Sequence, residues 1–228
     1  MEPEFDKFAS DYSNKIENHI RFAGKNHDFF VRDKIKHLNR LLEEVTLPKS
    51  QTSVLDVGCG VGLGHNLLAP EVGSLTGVDI SELSLEQARL ENPEVLYQGY
   101  DGHALPFEDH SFDCAFAICV MHHVPPAQWS SFMSEMNRVV RPGGKVIIIE
   151  HNPFNPMTQA IVNTCELDVD AVLLTPWRTQ KLMRENQLGN SKVEYTLFTP
   201  FEHPLFRRLD ELLWWLPLGA QYVASAQK

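Results

Sequence analysis

The stretch that decides the fold covers residues 53–79 and reads S-V-L-D-V-G-C-G-V-G-L-G-H-N-L-L-A-P-E-V-G-S-L-T-G-V-D. A short apolar run carries one acid, Asp56, and breaks into a series of glycines. A segment compatible with a helix follows, and a second apolar run ends on Asp79. This order predicts a strand, a glycine turn, a helix and a second strand. Glycines at such a turn let the backbone approach a ligand closely, because they lack a Cβ atom and adopt positive φ readily.

The chemistry of this turn suits a nucleoside-type cofactor. A helix N-terminus offers free N–H groups to an anionic group, and a carboxylate at the end of the next strand can accept hydrogen bonds from a ribose. The dinucleotide fingerprint G-x-G-x-x-G would need glycine at position 63 or 65, where Leu63 and His65 stand. A glycine turn without a ligand is the alternative. The spacing therefore disfavours a nicotinamide dinucleotide and leaves other nucleosides open.

The segment D-V-G-C-G-V-G, which begins at Asp56, resembles motif I of the class I S-adenosylmethionine-dependent methyltransferases, and the chain looks like a methyltransferase type 11-like domain. The turn Asp101-Gly102 and the pattern R-P-G-G-x-V-I-I-I from Arg141 extend this resemblance over about residues 53–152. It implies S-adenosyl-L-methionine as cofactor and S-adenosyl-L-homocysteine as product. The expected cofactor-binding residues are Tyr12, Asp56, Gly58, Cys59, Gly60, Asp79, Ile80, Asp101, Gly102, His103 and Cys119.

Five apolar strands alternate with helical segments, which predicts an α/β fold with a doubly wound, Rossmann-like, mostly parallel sheet. The resemblance implies seven strands, the last pair forming an antiparallel hairpin. We expect one domain over residues 1–228, with an N-terminal helical cap at 1–46. The proline-rich stretch 151–177 follows the fifth strand and is interpreted as an insert that forms part of a substrate lid. A helix is predicted from about 176 to 188, ended by Gly189.

Composition limits the classes of function. The chain has 228 residues, of which 43% are hydrophobic, enough for one domain with a large core. The net charge of −10 disfavours nucleic acid as a partner. No apolar run reaches the ~18–20 residues of a membrane span, and the acidic N-terminus is not a signal peptide. Four cysteines without a C-x-x-C pattern predict free thiols in a cytoplasmic protein.

Methyl transfer to oxygen needs a general base near the acceptor. His122 and His123 follow the fourth strand, and His151 follows the fifth. Adjacent residues in extended geometry point opposite ways, so one of His122 and His123 should face the cleft. We expect His123 to be the base and His151 to be the second choice. The alternative is that these histidines cap loops or form hydrogen bonds in the core. No metal is expected, because few carboxylates are locally available.

The acceptor is the least determined part of the prediction. We expect a small molecule methylated on oxygen, such as a glycan or natural-product intermediate. Methylation of nitrogen or carbon, a nicotinamide-dependent oxidoreductase, and a silent protein that binds S-adenosylmethionine as a partner subunit are the alternatives. The apolar segment 212–218 predicts core with one exposed tryptophan, or else contact with a lipid, a membrane surface or a dimer partner. The oligomeric state stays open.

Overall fold

The computed structural model describes residues 27–199, 201 and 203–228. Tyr12 and most of the predicted N-terminal cap lie outside the described residues. The described part of the cap is helix α1, His27–Leu42. Its apolar face, which includes Ile35, Leu38 and Leu42, is buried against the sheet. The 3.6-residue period of that face is what places these side chains on one side of the helix.

Seven strands form one sheet in the order β3-β2-β1-β4-β5-β7-β6. Neighbours from β3 through β5 are parallel, and β7 is antiparallel to both β5 and β6. The doubly wound, mostly parallel sheet with a C-terminal antiparallel hairpin is thereby confirmed. The strands are β1 Ser53–Val57, β2 Ser74–Asp79, β3 Leu96–Gly99, β4 Phe112–Ile118, β5 Val140–His151, β6 Gly189–Thr196 and β7 Gln221–Gln227.

Helices cover both faces of the sheet, and the alternation of side chains along each strand feeds two cores. Val54 of β1 packs with α1 on one face, whereas Leu55 packs with helix α4 on the other. Ile147 and Ile148 of β5 divide in the same way. The remaining helices are α2 His65–Leu68, α3 Glu82–Glu91, α4 Trp129–Val139, α5 Pro156–Val162, α6 Pro176–Glu185 and α7 Pro204–Leu212. Strands β1 and β4 have near-continuous apolar sequences because both of their faces are buried.

The prediction that Gly189 ends the helix after Thr175 is wrong. Helix α6 stops at Glu185, and Gly189 begins β6. The stop is a Schellman motif in which Gln187 takes the left-handed conformation with φ 64°. The amide of Leu188 donates to the carbonyl of Met183 at 2.9 Å, and both side chains are buried. A glutamine therefore occupies the position that glycine usually fills.

The prediction of one exposed tryptophan in the segment 212–218 is also wrong. Trp214 is 50% exposed and Trp215 is 60% exposed, together with Leu212 at 70%. Helix α7, which precedes them, buries only Asp210. Among the described residues, none of the helices combines the length and the apolar character that crossing a membrane requires.

Candidate active site

The glycine turn lies at the carboxyl end of β1 and is tied to β2. The amides of Gly58 and Cys59 both donate to the carbonyl of Val78, at 2.8 and 3.0 Å. The Asp79 carboxylate accepts from the amide of Gly60 at 2.8 Å and from the amide of Ser81 at 2.9 Å. Burial raises the pKa of Asp79. Each carboxylate oxygen has a further lone pair, so Asp79 fixes the turn and still can accept from a ligand.

Two glycines of the turn differ in the space around them. A Cβ built on Gly58, at φ +78°, would lie 2.6 Å from the Val120 side chain. A Cβ built on Gly60, at φ +52°, would meet nothing within 4 Å. The turn is therefore packed against the protein at Gly58 and open at Gly60. This open side lies next to Asp79, whose carboxylate accepts from the Gly60 amide.

The helix behind the turn is shorter than the sequence suggested. Helix α2 has four residues and begins after Gly64, which is left-handed at φ 82°. So short a helix has little macrodipole, since the effect comes from aligned peptide units. The turn therefore offers Asp79 and the open space at Gly60, and little helix dipole.

Asp56 belongs to a buried chain of polar side chains beneath the turn. Its Oδ2 atom is 2.9 Å from Nε2 of His65, and Nδ1 of His65 is 2.7 Å from the hydroxyl of Tyr97. Its Oδ1 atom has no hydrogen-bond partner among the described residues, and burial raises the pKa of Asp56. Asp56, His65 and Tyr97 together connect β1 to β3 through α2, and the sequence pattern contains no signal for this connection.

The turn Asp101-Gly102 follows β3 on the same edge of the sheet. Asp101 is exposed, and its Oδ1 atom accepts from the amides of His103 at 2.9 Å and Ala104 at 3.2 Å. These hydrogen bonds lower the pKa of Asp101. A Cβ built on Gly102, at φ +81°, would lie 3.4 Å from Ile80, whose side chain is 43% exposed. An exposed apolar side chain beside a carboxylate matches the needs of an adenine ring and its amino group.

Cys119 stands at the end of β4, between the glycine turn and the histidines. It takes the left-handed conformation with φ 55°. Its Sγ atom is 3.7 Å from Nζ of Lys34 and 3.5 Å from Nε2 of Gln221. Burial alone would raise the pKa of Cys119, but the charges of Lys34 and His151 lower it to about 7. Val120, the next residue, is the one packed on Gly58, so the turn and the histidines adjoin.

The expected extended geometry at His122 and His123 is wrong. Met121–His123 forms a single 3₁₀ turn. Because of this turn the two histidines point to the same side, and the Nε2 atom of each lies 3.5 Å from Oδ1 of Asp168. Asp168 comes from the insert 151–177 and ends the short 3₁₀ turn Glu166–Asp168. The insert therefore reaches the carboxyl edge of β4 and β5, where the sequence placed a lid.

Glu150, the penultimate residue of β5, is the buried anchor of this cluster. Its Oε2 atom is 2.6 Å from Nδ1 of His122, and its Oε1 atom accepts from the amide of Met121 at 2.7 Å. The side chains of His122 and Glu150 are each 1% exposed. His151 completes the group, because its ring centroid lies 5.1 Å from that of His122. We refer to Glu150, His122, His123, His151 and Asp168 as the histidine cluster.

The pKa values of the two adjacent histidines shift in opposite directions. Burial would lower the pKa of His122, but the charge of Glu150 and hydrogen bonds to Asp168 and Glu150 raise it to about 10. Burial lowers the pKa of His123, and the neighbouring His122 charge lowers it further, to about 4. At neutral pH His122 is a cation and His123 is neutral. One holds a proton firmly, and the other has a lone pair to accept one.

Aromatic side chains lie at the beginning and end of the insert. The rings of Phe154 and Trp177 are 5.0 Å apart, and the side chains are 41% and 59% exposed. Paired, exposed aromatic rings near a polar cluster are typical of a surface that binds an apolar or aromatic molecule.

A doubly wound sheet with an open glycine turn beside an acid defines the class of nucleoside-cofactor domains. Residues 55–148 match the model of a family described as "Methyltransferase domain". Together with the fold, this match supports membership of the class I S-adenosylmethionine-dependent methyltransferase family. S-Adenosylmethionine is the cofactor that goes with this domain, and the open turn at Gly60 and the carboxylate of Asp79 fit it.

Several characterised and uncharacterised relatives share sequence with the chain. A 37.1 kDa protein in transposon TN4556 of Streptomyces fradiae is 32% identical over 203 residues, which cover 81% of this chain and 56% of the relative. The 2-methyl-6-phytyl-1,4-hydroquinone methyltransferase of Synechocystis is 34% identical over 65% of this chain and 48% of its own. The demethylmenaquinone methyltransferase of Staphylococcus aureus is 36% identical over 49% and 47%. The chain thus spans about half the length of the curated relatives it matches.

Solved structures share the fold. A S-adenosylmethionine-dependent methyltransferase of Archaeoglobus fulgidus superimposes with a TM-score of 0.67 over 87% of this chain and 94% of its own, at 17% identity. A second one, from Thermotoga maritima, gives 0.70 over 98% of both chains at 21% identity. At these identities the likeness concerns the fold alone.

Proposed function

We propose that this domain transfers the methyl group of S-adenosylmethionine to a small-molecule acceptor, with a hydroxyl oxygen as the preferred site. The observation that carries the proposal is the juxtaposition of two features at one edge of the sheet. The glycine turn with Asp79 suits the cofactor, and the histidine cluster beside it offers a neutral histidine. Bound S-adenosylmethionine supplies a methyl group on a positively charged sulfur.

The chain's own residues would divide the binding between them. Asp79 is placed to accept hydrogen bonds from the ribose, and the open backbone at Gly60 leaves room for the cofactor. Asp101 and Ile80 would hold the adenine through its amino group and its apolar face. Cys119 would lie near the reacting end, since it stands between the turn and the histidine cluster. Positioning of this kind lowers the barrier of an in-line transfer by as much as ~7–11 kcal/mol.

His123 is the preferred proton acceptor for a hydroxyl. Its pKa of about 4 means that its ring is neutral at physiological pH. The Asp168 carboxylate, 3.5 Å from its Nε2 atom, would stabilise the cation formed. His122 is poorly suited, because its pKa of about 10 keeps it protonated. His151 is the second choice, because it is half-buried at the same edge.

The acceptor that fits best is a small molecule with an apolar or aromatic part. Phe154, three residues after His151, and Trp177 offer an exposed aromatic surface. Relatives named for a hydroquinone, for demethylmenaquinone and for phthiotriol support a small molecule over a macromolecule. Glycan and natural-product intermediates with a free hydroxyl belong to the same class. All four cysteines are free, which agrees with a reducing compartment such as the cytoplasm.

The test uses labelled S-adenosylmethionine and a panel of acceptors that carry hydroxyl, amine or activated carbon groups. We expect label on a hydroxyl, and we expect His123→Ala to lower turnover at least tenfold, because general-base catalysis contributes about 10²–10⁴-fold. Affinity for S-adenosylhomocysteine should change little. His203→Asn is the control, since asparagine keeps the cap that His203 gives to α7. Unchanged turnover in His123→Ala would remove His123 from the mechanism, and label on nitrogen or carbon would replace the oxygen assignment.

A further inference from the structure

A proton acceptor requires one histidine, whereas the histidine cluster brings the donor atoms of three side chains together. We propose that His122, His123 and Asp168 bind one divalent transition-metal ion, and that zinc is the ion that fits best. The spacing of these residues does not predict such a site, because Asp168 lies 45 residues beyond His123 in an insert without a metal-binding spacing. The structure brings the three side chains together.

The distances between the donor atoms suit an ion placed among them. Nε2 of His122 and Nε2 of His123 each lie 3.5 Å from Oδ1 of Asp168, and one ligand atom from each residue lies within 4.8 Å of the others. Nitrogen and oxygen ligands at about 2.0–2.2 Å from tetrahedral zinc are separated from each other by about 3.3–3.5 Å. A separation of 3.5 Å is long for a charge-assisted hydrogen bond, which is normally about 2.7–2.9 Å. The spacing thus fits a shared ion better than direct pairing.

Glu150 holds His122 in the orientation that a metal ligand requires. Nδ1 of His122 is 2.6 Å from Glu150, so the opposite ring nitrogen, Nε2, faces Asp168. The other oxygen of Glu150 accepts from the amide of Met121 at 2.7 Å, which fixes the carboxylate. Metal-binding histidines almost always donate their second ring N–H to a carboxylate, a carbonyl or water in this manner. This partner is already present and nearly fully buried.

The donor set indicates the kind of ion. Imidazole nitrogens suit zinc, copper, iron and nickel, whereas magnesium and calcium prefer oxygen ligands throughout. Catalytic zinc sites have three protein ligands and an open fourth position, and two histidines with one carboxylate make up such a set.

An ion here would also change the roles within the cluster, a consequence that rests on the proposed function. The lone pair of His123 would be taken up by the ion, so His151 would become the proton acceptor. The open position of the ion would receive the acceptor oxygen and favour loss of its proton. Zinc binding would release the proton that His122 holds in the metal-free protein, because a histidine ligand must be neutral. It requires the three ligands and does not depend on methyl transfer.

The experiment is equilibrium dialysis of the full chain, first freed of metal by a chelator, against Zn²⁺ alone, with the bound metal measured by elemental analysis. We expect one zinc per chain. Asp168→Asn and His123→Gln should each weaken zinc binding at least tenfold, and Glu150→Gln should weaken it about 10–100-fold. Substitution of Co²⁺ should give the visible absorption of a tetrahedral site, and this absorption should be absent in Asp168→Asn.

Two controls keep the result specific. His151→Gln alters the same cluster without removing a proposed ligand, and His203→Asn alters an exposed histidine elsewhere. Both should retain one zinc. Binding of S-adenosylhomocysteine and the circular dichroism spectrum are measured on every variant, so that unfolding is recognised.

Wild-type protein that binds S-adenosylhomocysteine and takes up no zinc would overturn the metal site and leave the proposed function standing. Zinc uptake that is equal in wild type and in Asp168→Asn and His123→Gln would also overturn it, because the ion would then bind elsewhere. Zinc bound as predicted in a protein that methylates no acceptor would support the metal site and count against the proposed function instead.

Discussion

The two halves of the site use different parts of the chain for their chemistry. On the cofactor side, from β1 to β3, the site consists mainly of glycines and backbone amides. The Asp79 carboxylate accepts hydrogen bonds from two of these amides. On the acceptor side, beyond β4 and β5, the site consists instead of titratable side chains that contact one another. Both halves contain a buried carboxylate paired with a histidine, namely Asp56 with His65 and Glu150 with His122.

These two carboxylate–histidine pairs differ in how completely they are satisfied. Both oxygens of Glu150 have close partners, and the pKa of Glu150 is lowered by His122 although burial alone would raise it. Asp56 has one oxygen without a partner among the described residues, and burial raises its pKa. The comparison indicates that backbone packing stabilises the cofactor side, whereas ion pairs between charged side chains stabilise the acceptor side. Each prediction below tests that difference.

The largest effect is expected from neutralising the two carboxylates in parallel. Glu150→Gln should lower the free energy of unfolding by about 3–5 kcal/mol, because it leaves a charged partner buried without its counterion. Asp56→Asn should cost only about 1–3 kcal/mol, since it removes a carboxylate that burial already disfavours in its charged form. Urea unfolding of both variants measures this. Equal losses in the two variants would mean that the halves do not differ in this way.

The pH dependence of stability should follow the histidine cluster in metal-free protein. The pKa of His122 is raised from 6.5 to about 10 in the folded state. Its stabilising contribution is therefore complete below about pH 6.5 and is lost as the pH rises towards about 10. The pKa of His123 is lowered to about 4, so stability should also fall as the pH drops from about 6.5 to about 4.

Each unit of pKa shift corresponds to about 1.4 kcal/mol, so losses of a few kcal/mol are expected on either side. The measurement is urea unfolding at several pH values after treatment with a chelator. His122→Gln should flatten the alkaline limb and keep a reduced acidic one, because burial is the largest cause of the low pKa of His123 and the His122 charge is the next. An alkaline limb that is unchanged in His122→Gln would show that another group controls it.

The smallest effect on stability is expected from Gly60→Ala on the cofactor side, with Gly58→Ala as its comparison. Gly60→Ala meets open space and should cost about 1–2 kcal/mol for its left-handed backbone alone. Gly58→Ala has a similar backbone penalty and adds a contact with Val120, which should cost about 1–3 kcal/mol more. Affinity for S-adenosylhomocysteine should nevertheless fall at least tenfold in Gly60→Ala, because its methyl group occupies the cofactor's space. Full affinity in a folded Gly60→Ala protein would contradict the placement of the cofactor.

The cofactor side could be predicted from the sequence because its parts are close in the chain. The acid, the glycines and Asp79 lie within 27 residues, and strand, turn and strand dictate that they meet. The parallel order of β1 to β5 followed from the same alternation of strands and helices. The stop of α6 could not be predicted, because Gln187 adopts a conformation that usually signals glycine.

The acceptor side could be predicted only in part. The positions of His122, His123 and His151 after buried strands placed them at the correct edge of the sheet. The 3₁₀ turn brings both His122 and His123 towards one carboxylate. It could not be predicted from hydrophobic periodicity, because it is only three residues long. Asp168 stands among neighbouring acids in an irregular insert, so its sequence context gave no sign that it meets the histidines. The contact of His122 with Glu150 has no sequence signal either, because the two residues lie 28 positions apart.

The measurement that tests the account most directly is calorimetric titration of the purified protein with S-adenosylhomocysteine. We predict binding at one site in wild type and its loss in Asp79→Ala, with Asp79→Asn as a conservative second variant. Asp109→Ala, whose carboxylate is 64% exposed, is the control and should bind as wild type does. Wild-type protein that is folded and binds no S-adenosylhomocysteine, or an Asp79→Ala variant that binds it unchanged, would contradict the central claim.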